Sequence, residues 1–469
     1  MNFFRACVLA MAGFGVGCAV RSPLSRMGEA GVVPGAWSAT REARSGVDQH
    51  WVRGIGGGDL VALADEAQRA NPILKASAAR VEQAAALAKW AGADRFPSLG
   101  AGAQAIRQKQ NFIGLPGGGG SSTSRSFGVS LDAAWELDLW GRVRAGAEAA
   151  GADAEAGLQA DRALRASLAG QVAKAWLAVA ESNEQVVLAE RAVKSRAEAA
   201  LLVRERFERA IADDGGSAAQ VRLSETEWAA SKSELERRRG ERERALRQLE
   251  LLLGRYPSGH VAGSARLPKL PPVPPAGLPS ELLLRRPDVL AAERRLSAAG
   301  RRSEQAAKAL YPSIRLSGGL GGATDELGEI LGSSAGVWSL GAGLTQPLFQ
   351  GGKLRAGVQR VDAEEREAAA NLQRVVLDAF GEVEQALVAE AHLRRQEVEL
   401  ARAVELSREA AQRADEEFRD GTGGVLTYLA ARDREVAAAA AWVALRGQLL
   451  ANRVQLHLAL GGDVVLHDP

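Results

Sequence analysis

The sequence predicts a mainly α chain, internally duplicated, in which each half carries two short β-strands and one very long coiled-coil helical hairpin. Three observations predict it: two long windows without proline, motifs that recur at a shift of 211 or 215 residues, and two pairs of alternating segments around Gly/Ser-rich loops. At 469 residues, 46% hydrophobic and 25% charged, the chain can bury a sizeable core and is too apolar for disorder. A net charge of +2 lacks the basic surplus that phosphate-driven nucleic-acid binding needs. Aromatics are only 5%, so helices must pack through small aliphatic side chains. Length alone suggests roughly three globular domains. The repeat suggests two similar halves instead.

Residues 1–17 read as a signal peptide: Arg5 supplies the positive charge, and Ala6 to Val16 is apolar but too short to cross a bilayer. Gly17-Cys18 resembles a lipobox, which makes Cys18 the expected lipidation site, carrying N-acyl and diacylglycerol groups as the sole attachment and no other cofactor. Cys7 lies inside the leader, so no thiol remains for a disulfide, a metal or a nucleophile. Residues 18–59 form an N-terminal arm.

The first repeat covers residues 60–254. Strands are expected over about 97–107 and 127–137, flanking a polar loop from Gln108 to Ser126. No proline occurs between Pro116 and Pro257, and the helix expected from about Val143 to Ile211, nearly 70 residues, would be about 100 Å long. A break at Asp213-Asp214-Gly215-Gly216-Ser217 folds the window 141–254 into a hairpin. A Pro-rich linker, 255–280, is extended and semi-rigid.

The second repeat covers 281–462, with strands over about 312–321 and 337–349, a loop from Gly322 to Gly336, a hairpin over 353–460 and a tail at 463–469. Its tip is Asp420-Gly421-Thr422-Gly423-Gly424. Leu354, Val358, Val361, Ala368, Leu372, Val375 and Ala379 follow 4,3 spacing, with Glu365 in the remaining slot. That period of 3.5 requires a partner helix.

Shifted by 215, Asn71-Pro72 falls on Arg286-Pro287 and Phe96-Pro97-Ser98-Leu99 on Tyr311-Pro312-Ser313-Ile314. Shifted by 211, Gly141-Arg142-Val143-Arg144-Ala145-Gly146 falls on Gly352-Lys353-Leu354-Arg355-Ala356-Gly357, and Phe207 on Phe418. Strands of about ten residues match a tilted bilayer crossing, and Trp135, Trp140, Trp338 and Phe349 sit where an aromatic girdle would lie. Four strands cannot close a barrel, and an open edge in lipid leaves backbone groups unsatisfied at several kcal/mol each. A membrane barrel must therefore be shared between chains.

Leu283-Leu284-Arg285-Arg286-Pro287-Asp288-Val289, with Ala292-Glu293 and Leu296, resembles the signature of the TolC-like outer membrane factors, in particular the lipoprotein branch that includes OprM and NodT. Trp135-Glu136-Leu137-Asp138-Leu139-Trp140-Gly141-Arg142, Tyr311-Pro312-Ser313-Ile314-Arg315-Leu316 and Gln346-Pro347-Leu348-Phe349-Gln350-Gly351-Gly352-Lys353 support it. The branch's Gly-Pro-x-Tyr segment after the lipidated Cys is replaced by Arg21-Ser22-Pro23-Leu24. The resemblance implies a homotrimer with a shared 12-stranded β-barrel in outer-membrane lipid and a periplasmic α-barrel. It also implies a periplasmic adaptor, an inner-membrane pump of the RND type, and small-molecule efflux without enzymatic chemistry. A conduit for type I protein secretion, or a structural coiled-coil envelope lipoprotein, is the alternative.

In a conduit the hairpin tips ring the entrance, where Asp rings favour cations. Asp213, Asp214 and Asp420 are candidate aperture residues, with Gly215, Gly216, Gly421, Gly423 and Gly424 shaping the turns and an adaptor contact. Arg209 and Arg419 are candidate tethers between neighbouring chains. Gly332-Ser333-Ser334-Ala335-Gly336 satisfies a nucleophile pattern but lies in a hairpin loop, not at a strand–turn–helix elbow. His50, His260, His392, His457 and His467 show no metal-ligand spacing.

Overall fold

The structure is a computed structural model that describes residues 34–39, 50–112, 120–211, 217–330 and 332–461. Its elements run α1 (Trp51–Ala70), α2 (Pro72–Ala93), β1 (Ser98–Phe112), β2 (Gly120–Leu137), α3 (Arg142–Ile211) and α4 (Ala218–Leu252). The second half repeats the order with α5 (Pro279–Arg285), α6 (Pro287–Lys308), β3 (Ser313–Thr324), β4 (Gly336–Thr345), α7 (Lys353–Arg419) and α8 (Val425–Ala459). Helix α1 begins inside the expected N-terminal arm because Trp51, Val52 and Ile55 are buried in the main core with Val172, Trp176, Leu249 and Val454.

The helices form a layer rather than a bundle. Near the sheet the order is α2–α3–α6–α7, and towards the tips it is α4–α3–α8–α7. Helix α3, 70 residues long, passes through both sets and joins them. The seam from Leu354 to Ala379 is buried or half-buried at every expected position, Glu365 included, because α6 and α8 pack along α7. The opposite flank of α7 leaves Leu377, Val388, Val398 and Leu406 exposed, and the free face of α2 leaves Ile73, Leu87 and Trp90 exposed.

The repeat is visible in how each half closes at its middle. Asn71 caps α2 by accepting from the Ile73 amide at 2.8 Å, and its Nδ2 donates to the Leu252 carbonyl at the end of α4 at 2.8 Å. Arg286, its counterpart before Pro287, donates to the Ala459 carbonyl at the end of α8 at 3.1 Å. Both residues thus satisfy a helix C-terminus that has run out of intrahelical donors. Arg286 also holds Asp288 at 2.7 and 3.0 Å and Glu382 at 2.7 Å. Burial alone would raise the Asp288 pKa, but the Arg286 guanidinium outweighs it and lowers the value.

The Pro-rich linker is a belt stitched to this middle zone. Buried Glu250 accepts from the amides of Gly259, His260 and Val261 at 2.6, 2.8 and 3.0 Å. Further along, Arg446 donates to the Pro268 carbonyl at 3.0 Å and Arg453 to that of Pro271 at 2.6 Å. Arg453 is 0% exposed and its second nitrogen meets Glu390, 5% exposed, at 2.6 Å. The N-terminal arm docks at the same level. Trp37 donates to Gly277 at 3.0 Å and stands edge-on to Phe380 with ring centroids 6.0 Å apart. Glu384 accepts the amides of Ser38 and Ala39 at 2.6 and 3.0 Å.

Candidate functional site: a two-faced sheet and the helical tips

The four strands form one antiparallel sheet in the order β1-β2-β3-β4. They differ in extent from the segments expected from sequence. The β1 and β2 strands run out to Phe112 and back from Gly120, so much of the expected polar loop from Gln108 to Ser126 is paired strand. Hydrogen bonding between backbones, which is blind to side-chain polarity, extends the hairpin past its apolar part. In the other hairpin β4 stops at Thr345, two residues before Pro347, rather than continuing to Phe349. Proline has no amide to give to a ladder.

Every register is continuous, one residue against one, so face assignments follow by alternation. One face carries Leu99, Ala101, Ala103 and Ala105 of β1 against Ala133, Leu131, Val129 and Phe127 of β2. On the same face Trp135 stands opposite Leu316, Leu131 opposite Leu320, and Leu320 opposite Trp338. The other face carries Ser98, Gln104, Ser130, Asp132, Glu136, Arg315, Ser317, Ser339 and Thr345. Glu136 and Arg315 are direct cross-strand partners there, and Arg142 also grips Glu136 through two nitrogens. The apolar face is bare along β4, where Trp338 is 79%, Leu340 83% and Leu344 70% exposed, and only at its outer end does the β3–β4 loop lie against it, with the Ile330 carbonyl over Gly322. A polar solvent has no use for such a face; hydrocarbon does.

At the helix end of the sheet the aromatic residues collect. Trp140 donates to the Pro312 carbonyl at 2.7 Å and lies 5.6 Å from the Tyr311 ring, while Phe96 and Phe349 are exposed nearby in sequence. Trp135 donates to Arg95 at 3.1 Å. A ring with one polar end anchored and its body exposed suits the boundary between lipid and water. Each long helix then starts at a glycine with left-handed backbone, Gly141 at φ 78° and Gly352 at φ 84°, the pair aligned by the repeat. Among the described residues no helix is long and apolar enough to cross a membrane.

At the far end, the tip of the second hairpin is built around Glu417, whose carbonyl accepts from the amides of Thr422 at 3.0 Å and Gly423 at 2.9 Å. Gly421 takes φ 79°, which only glycine adopts without strain, and a side chain on Gly423 would meet Glu417 at 2.9 Å. Gly424 has ordinary extended backbone and open space around it. Asp420 caps α7 through its backbone and exposes its carboxylate. Arg419 pairs with Asp415 at 3.2 Å and Arg209 with Glu205 at 3.7 Å, each on its own helix. Asp213, Asp214, Gly215 and Gly216 lie outside the described residues, as does Cys18.

The residues that join the two tips were not singled out from the sequence. Arg206 on α3 donates to the Phe418 carbonyl and places its guanidinium 4.3 Å from the centre of the Phe418 ring. That ring stacks on Tyr428 at 5.0 Å, and the Tyr428 hydroxyl lies 3.4 Å from Ser195. Arg196 pairs with Asp433, and Arg432 with Glu435 at 2.9 Å. The one signal available was the repeat match of Phe207 with Phe418, which marks the layer where the hairpins meet. Replacing Arg206 with Gln removes a charge-assisted bond and a cation–π contact, together about 2 kcal/mol of local stability. Amide exchange across Phe418–Tyr428 is expected to quicken about tenfold or more, with exchange near Arg453 unchanged.

No group of three or more His, Cys, Asp or Glu among the described residues is arranged to hold a metal. What the geometry offers is a wall with a lipid-compatible face, a polar face and a braced tip.

Comparison with known proteins agrees with this architecture. The chain is 31% identical over 442 residues to the pyoverdine export outer membrane protein OpmQ of Pseudomonas putida, covering 92% of each chain. It is 32% identical over 436 residues to the outer membrane protein OprJ of Pseudomonas aeruginosa, covering 92% of this chain and 90% of that one. The solved structure of the outer-membrane channel OprN superposes with a TM-score of 0.84 at 29% identity, over 92% of this chain and 96% of that one. The family model described as outer membrane efflux protein matches residues 63–255 and 278–462, one segment per repeat. With its duplicated strands and hairpins matched in both halves, the chain belongs to the outer membrane efflux protein family, the TolC-like outer membrane factors.

Proposed function

We propose that three copies of the chain form the outer-membrane conduit of a tripartite efflux system. The observation that carries this is the four-stranded sheet with an apolar face left bare over most of its length and two unpaired edges, β1 and β4. In lipid each unpaired backbone group costs several kcal/mol, so the edges must pair with other copies. Three copies supply twelve strands, and the two exposed flanks of the helical layer, on α2 and α7, continue the same closure below the membrane. The polar sheet face then lines a water-filled lumen.

Cys18 is acylated in this reading, and the docked segment Trp37–Ala39 fixes the arm to the middle of the helical layer. The tips receive a periplasmic adaptor and, through it, an inner-membrane pump of the RND type. The cargo is small molecules, the class to which the pyoverdine named for the relative OpmQ belongs. Asp420, with Asp213 and Asp214, lends the entrance negative charge.

Purified full-length chain, reconstituted in a planar bilayer, is expected to give discrete conductance steps and to run on gels as a heat-labile trimer. A strictly monomeric protein without conductance sinks the conduit reading. A protein that gives conductance and binds the adaptor, yet supports only polypeptide export, replaces the efflux reading with secretion.

A further inference from the structure

The β1–β2 hairpin holds Arg107 directly opposite Arg125, with Lys109 one same-face step further out, opposite Thr123. Like charges facing each other across an antiparallel pair are destabilising unless something of opposite charge lies between them. The unbroken register places all three on the apolar face, in line with Leu99, Ala101, Ala103 and Ala105 on β1 and with Val129 and Phe127 on β2. The alternate rungs on the lumen face, Ile106 opposite Ser126, Gln108 opposite Ser124 and Gln110 opposite Ser122, are all uncharged. The positive charge of this hairpin end is therefore segregated to one side. All three basic side chains are exposed, and none pairs with a described residue. Glu326, one step past the end of the β2–β3 ladder, makes no ion pair with Arg125.

Depth selects the partner. From Trp135 to Phe127 the apolar face of β2 spans about 27 Å along the strand, or about 21 Å of membrane at a tilt near 40°. Arg125 follows two residues beyond Phe127, about 7 Å further along the strand, where hydrocarbon gives way to headgroups. The helices lie at the opposite end of the sheet, so this rim faces outwards. We infer that Arg107, Arg125 and Lys109 form a lipid-phosphate site on the outer, membrane-facing rim, which takes the phosphates of an anionic outer-leaflet glycolipid. Arg forks suit phosphate oxygens, and the acyl chains of the same lipid lie against the apolar face below. The inference rests on the membrane placement proposed above.

The test uses the full-length protein in detergent, with bisphosphorylated lipid A and its dephosphorylated form as probes, followed by native mass spectrometry. Wild-type protein is expected to retain the bisphosphorylated lipid at least about tenfold better than the dephosphorylated one, and to lose it as salt rises. The Arg107→Gln/Arg125→Gln variant is expected to lose that preference, Arg107→Lys/Arg125→Lys to keep most of it, and Lys353→Gln, far from the rim, to behave as wild type. Equal retention of both lipids by wild-type protein overturns the inference, as does an unchanged preference in the double Gln variant. Displacement of the lipid by equimolar inorganic phosphate also overturns it, since that marks a small-anion site. The wild-type comparison decides the matter if the double Gln variant does not fold. Wild-type conductance is measured on the same preparation: its absence counts against the conduit, whereas conductance without phosphate preference counts against this site alone.

Discussion

Glu390→Ala is expected to collapse the middle of the molecule, at a cost of about 3–5 kcal/mol, the range for removing one partner of a buried ion pair. Arg453 is 0% exposed and spends one nitrogen on Glu390 and another on the Pro271 carbonyl. Without the carboxylate, a guanidinium stays buried with its charge uncompensated. Asn452 loses its 3.0 Å acceptor at the same time, and Arg394 its 3.2 Å partner. The belt then keeps Arg446 at Pro268 but loses its fixed anchor at Pro271, and Trp37, packed on the neighbouring turns, loosens with it. The measurement is thermal unfolding of the purified protein, with a lowered midpoint and early loss of the Trp37 fluorescence environment. Replacing both partners, as Glu390→Leu with Arg453→Met, should recover a large part of the loss, because a well-packed apolar pair often matches a buried salt bridge. If the double variant is no better than the single one, the damage comes from packing and not from stranded charge.

The same site sets an acid limit. Burial tends to raise the Glu390 pKa, but hydrogen bonds and the charge of Arg453 outweigh it and lower the value. Asp288 and Glu250 are depressed in the same sense. A carboxylate with a depressed folded pKa contributes stability above its unfolded value, and the contribution disappears as pH falls through the folded one. The midpoint of thermal unfolding should therefore stay level near neutrality and fall below the ordinary carboxylate range. In Glu390→Leu/Arg453→Met the acid slope should be shallower.

How much of this was legible in the sequence depends on the range of the interaction. The seam of α7 could be read because Leu354 to Ala379 obey a local period, and the structure buries or half-buries each of them. Strand ends were less legible. Lys109, Gln110 and Asn111 look like loop residues, yet their backbones pair with Thr123, Ser122 and Ser121. The tip shows the sharper limit. In the sequence the acidic residues at the turns stand out, whereas the side chains that join the hairpins are Arg206 and Tyr428, whose partners Phe418 and Ser195 lie more than 200 residues away. An arginine on a helix rich in arginine carries no local mark of such a partner. Arg286 was the intermediate case: its place before Pro287 at a helix start could be read, but its grip on the last turn of α8 could not.

Leu340→Arg is expected to abolish membrane assembly, whereas Ser339→Arg, one residue earlier on the same strand, should be tolerated. In β4 the two side chains point to opposite faces, Leu340 in line with Trp338 and Leu344, Ser339 in line with Gly341 and Thr345. A single chain gives no packing reason to separate them, since Leu340 is 83% exposed and Ser339 is exposed as well. Any difference must come from what covers the sheet outside the chain. Arginine at the lipid face near the bilayer centre costs about 2–4 kcal/mol per copy, so three copies pay about 6–12 kcal/mol in one barrel. At a lumen position the same side chain stays in water and adds three positive charges to the conduit. The outcome is read from outer-membrane fractions and from gel mobility with and without heating: no heat-labile trimer for Leu340→Arg, a normal one for Ser339→Arg with altered ion selectivity. Equal behaviour of the two variants would mean that both faces meet the same medium. The sheet would then lie outside the bilayer, and the alternation from Leu99 to Leu344 would need another explanation.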